Sequence, residues 1–344
     1  MAYPIRPGKD QGTFHSRISH RERMLSLLSG QKPDRPPLAL WRHFPVDDQL
    51  PDRLAAATLN FQKTFDFDLV KVTPASSFCL KDWGAEDAWE GNPEGTRRYT
   101  RFVVQSPQDW ESLKWLPPTS TYLAYQLECL AQVKKQLGED TPLVQTIFSP
   151  LSQAKNLAGA ERLISHIRLF PEAVLKGLET IARTTRSFLE AILSMDVDGI
   201  FYAVQHAQAG LLTRDEFSQF GRDFDLPILK DLGSTWCNLV HLHGRQVYFD
   251  LVKDYPVQII NWHDRETQPA LKAAYHEYKG ILCGGINRET LVLASPDEIR
   301  REMQDAFEQV NGQRLLLGTG CVIPITAPYG NLMAARTLVE TYES

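Results

Sequence analysis

Gly280-Ile281-Leu282-Cys283-Gly284-Gly285-Ile286-Asn287, then Ser295-Pro296-Asp297-Glu298, then Leu315-Leu316-Leu317-Gly318-Thr319-Gly320 is the stretch that decides the fold. The outer segments are short, nearly continuous apolar runs, as expected of parallel strands buried on both faces. Between them Ser295 and Glu298 form a capping box with proline at the first helical position. Ile299, Met303, Phe307 and Val310 then recur along one helical face. The stretch reads as one β-α-β unit.

Working outward, runs of the same kind occur at 38–44, 68–73, 143–149, 199–205, 238–243 and 257–264. Helix signals separate them. Thr213–Glu216 repeats the capping box before Phe217, Ser19–Glu22 does so before Met24, Leu25 and Leu28, and Gly30 stands where that first helix should stop. Eight strand-then-helix units predict an α/β chain folded as a closed (β/α)8 TIM barrel. An open doubly wound sheet is disfavoured, because no G-x-G-x-x-G follows the first strand and there is no P-loop. Residues 75–118, rich in Trp, Gly, Pro and charge, read as a loop excursion over the carboxyl-terminal mouth. Residues 151–194 hold more helix than one crossover needs. With no repeat, low-complexity tract or linker, residues 16–344 are expected to form one domain, and residues 1–15 a flexible arm.

The 344 residues are 43% hydrophobic and 23% charged, so the chain has material for a sizeable core. A net charge of −5 offers no basic field for a nucleic-acid backbone. No apolar stretch approaches the roughly 18 residues of a membrane span, and the first residues lack the apolar core of a secretory signal. Cysteines at 79, 129, 237, 283 and 321 are odd in number and scattered, which predicts free thiols and a cytoplasmic protein.

A barrel of this kind builds its active site where the strands end. The predicted ends carry Arg42 and His43, Lys71 and Thr73, Ser149, Tyr202, Gln205 and His206, His241 and His243, His263 and Asp264, Asn287, and Thr319 and Cys321. Histidine is concentrated there: 43, 206, 241, 243 and 263, out of nine in the chain. His206, His263 and Lys71 are the candidate catalytic groups, and Arg42, His43, Tyr202, Gln205 and Asn287 the candidate substrate contacts. Lys71, pointing inward, is either paired with a carboxylate or catalytic. His263 next to Asp264 has the composition of an oriented base. Neighbours along a strand point oppositely, however, which favours a structural role for that pair.

The sharpest feature is Val240-His241-Leu242-His243-Gly244. Alternation puts His241 and His243 on one face, a pair suited to a metal that takes neutral nitrogen. Cys321, between Gly320 and Val322, is the candidate third ligand. His2Cys with an open position would be a catalytic zinc arrangement. The plainer readings are that the imidazoles hydrogen-bond a substrate and that Cys321 is a small buried hydrophobe.

Arg21-Glu22-Arg23-Met24-Leu25 with Gly30 and Asp34-Arg35-Pro36-Pro37 resembles the opening of the uroporphyrinogen decarboxylase superfamily. So does Asp198-Gly199-Ile200-Phe201 followed by Ala209-Gly210-Leu211-Leu212-Thr213. Gly284-Gly285-Ile286-Asn287 with Leu291 and Glu298-Ile299 is similar to its Gly-Asn-Leu-Asp segment. Gly320, Pro324, Thr326, Pro328, Asn331 and Leu332 match its closing segment. The resemblance spans essentially the whole chain and implies a (β/α)8 barrel, often homodimeric.

True decarboxylases of the superfamily carry an Arg-Gln-Ala-Gly-Arg-Tyr run whose arginines bind carboxylates; here Trp41-Arg42-His43-Phe44-Pro45 holds one arginine. Thr73-Pro74-Ala75 stands where their pyrrole-binding aspartate would be, and Gly318-Thr319-Gly320 replaces their Gly-His-Gly. The chain is more similar to the zinc methyltransferases that move methyl groups between a corrinoid protein and a thiol. Their ligand positions, a histidine, a cysteine two residues later and a cysteine in a Gly-Cys segment, fall on His241, His243 and Cys321. One thiolate is thus replaced by imidazole. Less negative charge would offset the Zn2+, making it a stronger Lewis acid, suited to a methyl ether or alkoxide oxygen as well as to a thiolate.

The resemblance therefore implies a zinc-dependent methyltransferase or demethylase acting on a small molecule, with a corrinoid on the substrate or on a partner protein. The alternatives are a metal-free decarboxylase of tetrapyrrole biosynthesis and a non-catalytic tetrapyrrole or corrinoid binder. Asp264 and Glu266 are candidates for a fourth ligand.

Overall fold

A computed structural model describes residues 18–341. The expected arm at 1–15 lies outside them. Nine strands appear in chain order: β1 Val70–Val72, β2 Glu86–Ala88, β3 Arg98–Arg101, β4 Leu143–Phe148, β5 Gly199–Val204, β6 Leu239–Leu242, β7 Ile259–Trp262, β8 Ile281–Ile286 and β9 Leu315–Thr319. Seven form one curled parallel sheet in the order β1-β4-β5-β6-β7-β8-β9. Every residue of these seven is buried, as their unbroken apolar runs require when helices cover the sheet. The decisive stretch behaves as read: Ser295 caps helix Pro296–Gln309 through a reciprocal box with Glu298, and Ile299, Met303 and Phe307 are buried.

The run at 38–44 does not become a strand. It makes one parallel bridge, Leu38 to Leu317. The Leu317 and Ala39 amides donate to the Pro37 and Leu317 carbonyls at 2.9 Å each, alongside β9. On the other side the Leu38 amide donates to the Asp68 carboxylate at 2.8 Å, and the Asp68 amide returns to Leu38 O at 2.9 Å. With Pro36 and Pro37 lacking N–H groups and a side chain taking the Leu38 amide, no ladder can extend. The edges β1 and β9 are thus linked through a hydrogen-bonded segment.

Asp68 is fully buried and also holds Arg23, Arg35 and His20, each at 2.7 Å. Arg23 and Arg35 come from the opening motif, which therefore ties the first helix to the amino-terminal end of the sheet, far from any strand terminus that carries chemistry. Burial alone would lower the His20 pKa, but the Asp66 and Asp68 carboxylates outweigh it and lift it to about 9.

Both insertions take the expected form. Helices Pro150–Ala158, Ala160–Leu169 and Pro171–Leu193 fill the second. The first contains the antiparallel pair β2–β3 and helix Pro107–Ser112, whose Trp110 is buried and donates to His166 Nδ1 at 2.9 Å. Its tip lies over the segments that follow β8 and β9. The Ile325 amide donates to Pro93 O at 2.8 Å, and Arg288 pairs with Glu94 at 2.6 Å. Among the described residues no helix is long and apolar enough to cross a membrane.

Candidate metal centre

Strand parity builds the centre. On β6, His241 points inward with Leu239, and His243 follows on the same face just past the strand. On β7 the inward positions are Asn261 and, beyond the strand end, His263. Trp262 between them turns to the helical layer, packing on Phe249 and donating to Pro269 O at 2.8 Å. The register sets His241 opposite Asn261, so two residues on His243 arrives beside His263. Cys321 comes from β9. Gly320 makes this possible, because a Cβ there would sit 2.6 Å from the His263 Cα and 2.8 Å from the Trp262 carbonyl. Gly320→Ala is therefore expected to push the end of β9 away from β7 and to cost about 1–3 kcal/mol, read as a lowered midpoint of chemical denaturation; an unchanged midpoint would mean the contact is not tight.

One ligand atom from each of His241, His243, His263 and Cys321 lies within 4.8 Å of all the others. His263 Nε2 is 3.4 Å from His243 Nδ1, and the Cys321 sulfur is 3.7 Å from that same nitrogen. Zinc at its usual ~2.0–2.1 Å from nitrogen and ~2.3 Å from sulfur separates tetrahedral donors by about 3.4 Å (N to N) and about 3.6 Å (N to S). These two separations match edges of such a tetrahedron.

The surrounding hydrogen bonds fix which atoms face the centre. Asn261 Nδ2 donates to the Cys283 carbonyl at 2.9 Å and the Thr319 carbonyl at 3.0 Å. Its Oδ1 must then accept from His241 Nδ1, at 2.7 Å. The proton on Nδ1 leaves His241 Nε2 with a free lone pair, and that atom is buried with no partner among the described residues. Glu266 plays the same part for His263, its Oε1 lying 3.3 Å from Nδ1. Burial would raise the Cys321 thiol, but His241, with help from His243 and His263, holds it well below the ordinary range. Burial would lower His263, but the Cys321 sulfur and Glu266 raise it. The cluster is three imidazoles around a sulfur that gives up its proton readily, the donor set a divalent ion takes.

The structure thus brings together the three expected ligands and adds His263 as a fourth donor. Asp264 is excluded from the cluster by parity: its carboxylate accepts the Gly285 amide at 3.0 Å on the opposite side, and burial lifts its pKa to about 7. Glu266 supports the centre through His263. Lys71 is buried and has no carboxylate partner among the described residues; Nζ donates to Thr73 Oγ1 at 3.1 Å. Burial lowers it to about 7, with Cys321 opposing. His206 is buried, and burial with the charge of Lys155 and the nearby His243 takes it to about 3, so it is a neutral imidazole at pH 7. His43 is taken to about 4 by burial and Lys71. Arg42 is half-buried, its Nε on the His43 carbonyl at 3.3 Å, and the Gln205 amide donates to Ser152 Oγ at 3.0 Å.

One expected substrate contact, Tyr202, is placed elsewhere. Tyr202 points from β5 into the helical layer, where its hydroxyl donates to Asp225 at 2.7 Å. It occupies the outward parity, opposite to Phe201 and Ala203. Asn287 closes its own turn, its Oδ1 accepting the Glu289 amide at 2.9 Å. Asn261, Lys155 and Arg288 were not singled out from the sequence. Only Asn261 had a signal there, its even spacing from His263.

The chain matches the uroporphyrinogen decarboxylase (URO-D) family over residues 19–342. It belongs to that family. Its fold is similar to a methyltransferase from Methanosarcina mazei, with a TM-score of 0.80 at 17% identity, covering 94% of this chain and 99% of that one. A B12-independent methionine synthase from Shewanella sp. W3-18-1, solved with selenomethionine, gives 0.57 at 14% identity over 89% and 95%. A putative vitamin-B12-independent methionine synthase from Listeria monocytogenes gives 0.53 at 12% over 85% and 86%. At such identities the likeness is one of fold. No curated protein matches the chain. In this URO-D family member the three imidazoles and the sulfur stand at the carboxyl ends of the sheet strands, where folds of this kind keep their chemistry.

Proposed function

We propose that this URO-D family protein is a zinc-dependent methyltransferase or demethylase that moves a methyl group between a small substrate and a corrinoid, the latter carried by the substrate side or a partner protein. The observation that carries the reading is the convergence of His241, His243, His263 and Cys321 with their ligand atoms within 4.8 Å of one another. The similarity of fold to a methyltransferase supports it, as does the correspondence of His241, His243 and Cys321 with the ligand positions of the corrinoid branch. In this proposal residues 16–344 act as one closed (β/α)8 domain in a cytoplasmic homodimer.

His241, His243 and Cys321 would hold the ion, with His263 as a fourth donor. A zinc bound there supplies Lewis-acid polarisation of the acceptor or leaving-group atom. The protein's own part is orientation and exclusion. Asn261 keeps the His241 proton on Nδ1, and Glu266 keeps the His263 proton on Nδ1, so both Nε2 atoms face inward. Phe201, stacked on His241, and Trp41, packed on Phe201, are buried and keep water from that wall. His206, uncharged at pH 7, offers a hydrogen bond without adding positive charge.

Metal analysis of protein purified without chelator tests the proposal. Stoichiometric zinc is expected, with His241→Ala and Cys321→Ala each losing it. Zinc-free wild type, or His241→Ala retaining full zinc, would end the reading. Chelator-insensitive release of carbon dioxide would favour the decarboxylase instead.

A further inference from the structure

The geometry points to a binding site for a small monocarboxylate centred on the Lys71 ammonium, beside the metal cluster. The inference deepens the methyl-transfer reading by naming the substrate class, and rests on it only in taking this mouth as the place where substrate enters.

Lys71 is anomalous in its own molecule. The other deeply buried cations are matched: Arg23 with Asp34 and Asp68, Arg35 with Asp68 and Glu340, Arg336 with Asp66 and Glu340. Lys71, only 6% exposed, meets no carboxylate among the described residues, and the charge that favours its ammonium is that of the Cys321 sulfur. An ammonium has three donors. Thr73 Oγ1 takes one at 3.1 Å, which leaves two. The rest of its surroundings are aromatic faces, with Nζ 4.4 Å from the centre of Phe201 and 5.7 Å from that of Trp41. Such faces soften the loss of water without removing the need for an anion.

A second polar group lies near. His43 Nδ1 is buried and has no hydrogen-bond partner among the described residues, and the charge on Lys71 helps hold that ring neutral. One ammonium and one neutral imidazole complement a single negative charge spread over two oxygens. A dianion would leave one charge unmatched in an apolar wall.

The position also suits a substrate anchor. Phe201 is stacked on His241, with ring centres 5.4 Å apart and planes inclined by 26°. Phe201 thus touches both the anchor and the centre, so an acid held at Lys71 lies one aromatic ring from His241.

The test is calorimetric titration of the protein as purified with acetate, butyrate and benzoate, each against its neutral amide. At least one acid is expected to bind about tenfold or more tighter than its amide, the worth of a charge-assisted hydrogen bond. Lys71→Met is expected to abolish that preference and to raise the thermal midpoint, since it removes a buried charge that has no carboxylate partner; Lys71→Arg keeps the preference. Acids binding no better than amides to wild type, or failing to bind, would overturn the assignment, as would a preference that survives in Lys71→Met. Zinc content measured on the same samples reports separately: zinc present with no acid preference sinks this inference alone, and acid preference without zinc sinks the methyl-transfer reading alone.

Discussion

Asp68→Asn is expected to lower the free energy of unfolding by about 3–5 kcal/mol at pH 7, the range for breaking a buried ion pair from one side. The substitution keeps the shape and an oxygen for the Leu38 amide, so the effect isolates charge. Arg23, fully buried, and Arg35, 4% exposed, would each lose a carboxylate at 2.7 Å. Asp34, Glu340 and Asp66 still face Arg23, Arg35 and His20, which places the loss toward the lower end. The measurement is a shift in the urea midpoint with an unchanged slope. A change within ~0.5 kcal/mol, as surface substitutions give, would refute it.

The same network predicts a pH dependence of both signs. The His20 pKa is raised to about 9, so its contribution is complete below its ordinary value near 6.5 and fades as pH climbs through 9. Burial opposes ionisation of Asp68, but the hydrogen bond from His20 and the charges of Arg35 and Arg23 hold it well below the carboxylate range. Its contribution is therefore present above about pH 4 and is lost in stronger acid. The difference between wild type and Asp68→Asn should shrink at both extremes.

Asn261→Ala is expected to weaken zinc binding by about 10–100-fold, the usual effect of removing a group that orients a metal ligand. Asn261 is fully buried and touches no ligand atom that faces the centre. Its side chain holds the proton on the far nitrogen of His241 and binds the carbonyls of Cys283 and Thr319. Without it the imidazole can change tautomer, and the middle of β8 and the end of β9 lose a shared donor. Competition with a chromophoric chelator reads the affinity. If Asn261→Ala binds zinc as tightly as wild type, His241 is oriented by its stacking on Phe201 instead.

The two effects differ in how far they could be foreseen. Arg23 and Arg35 stand in the motif that carries the family resemblance, yet nothing in their spacing says that Asp68 gathers them. The run at 38–44 has the composition of a strand, and only the Asp68 carboxylate on the Leu38 amide shows why it is not one. Tyr202 belonged to a strand end by position, but its parity sends it to Asp225.

Alternation along a single strand is a local property, so the sequence alone settled that His241 and His243 share a face, and it favoured a structural role for Asp264, which the Gly285 amide then fixed. Apolar runs and capping boxes likewise settled the order of seven of the eight expected strands and of the helices between them, because each is decided within a few residues. What His243 meets is not local. The pairing of His241 with Asn261 puts His263 beside it, and the bare backbone at Gly320 lets Cys321 approach from a strand three places away in the sheet. Register and close approach depend on packing between segments distant in the chain, and that is why the fourth donor became visible only in three dimensions.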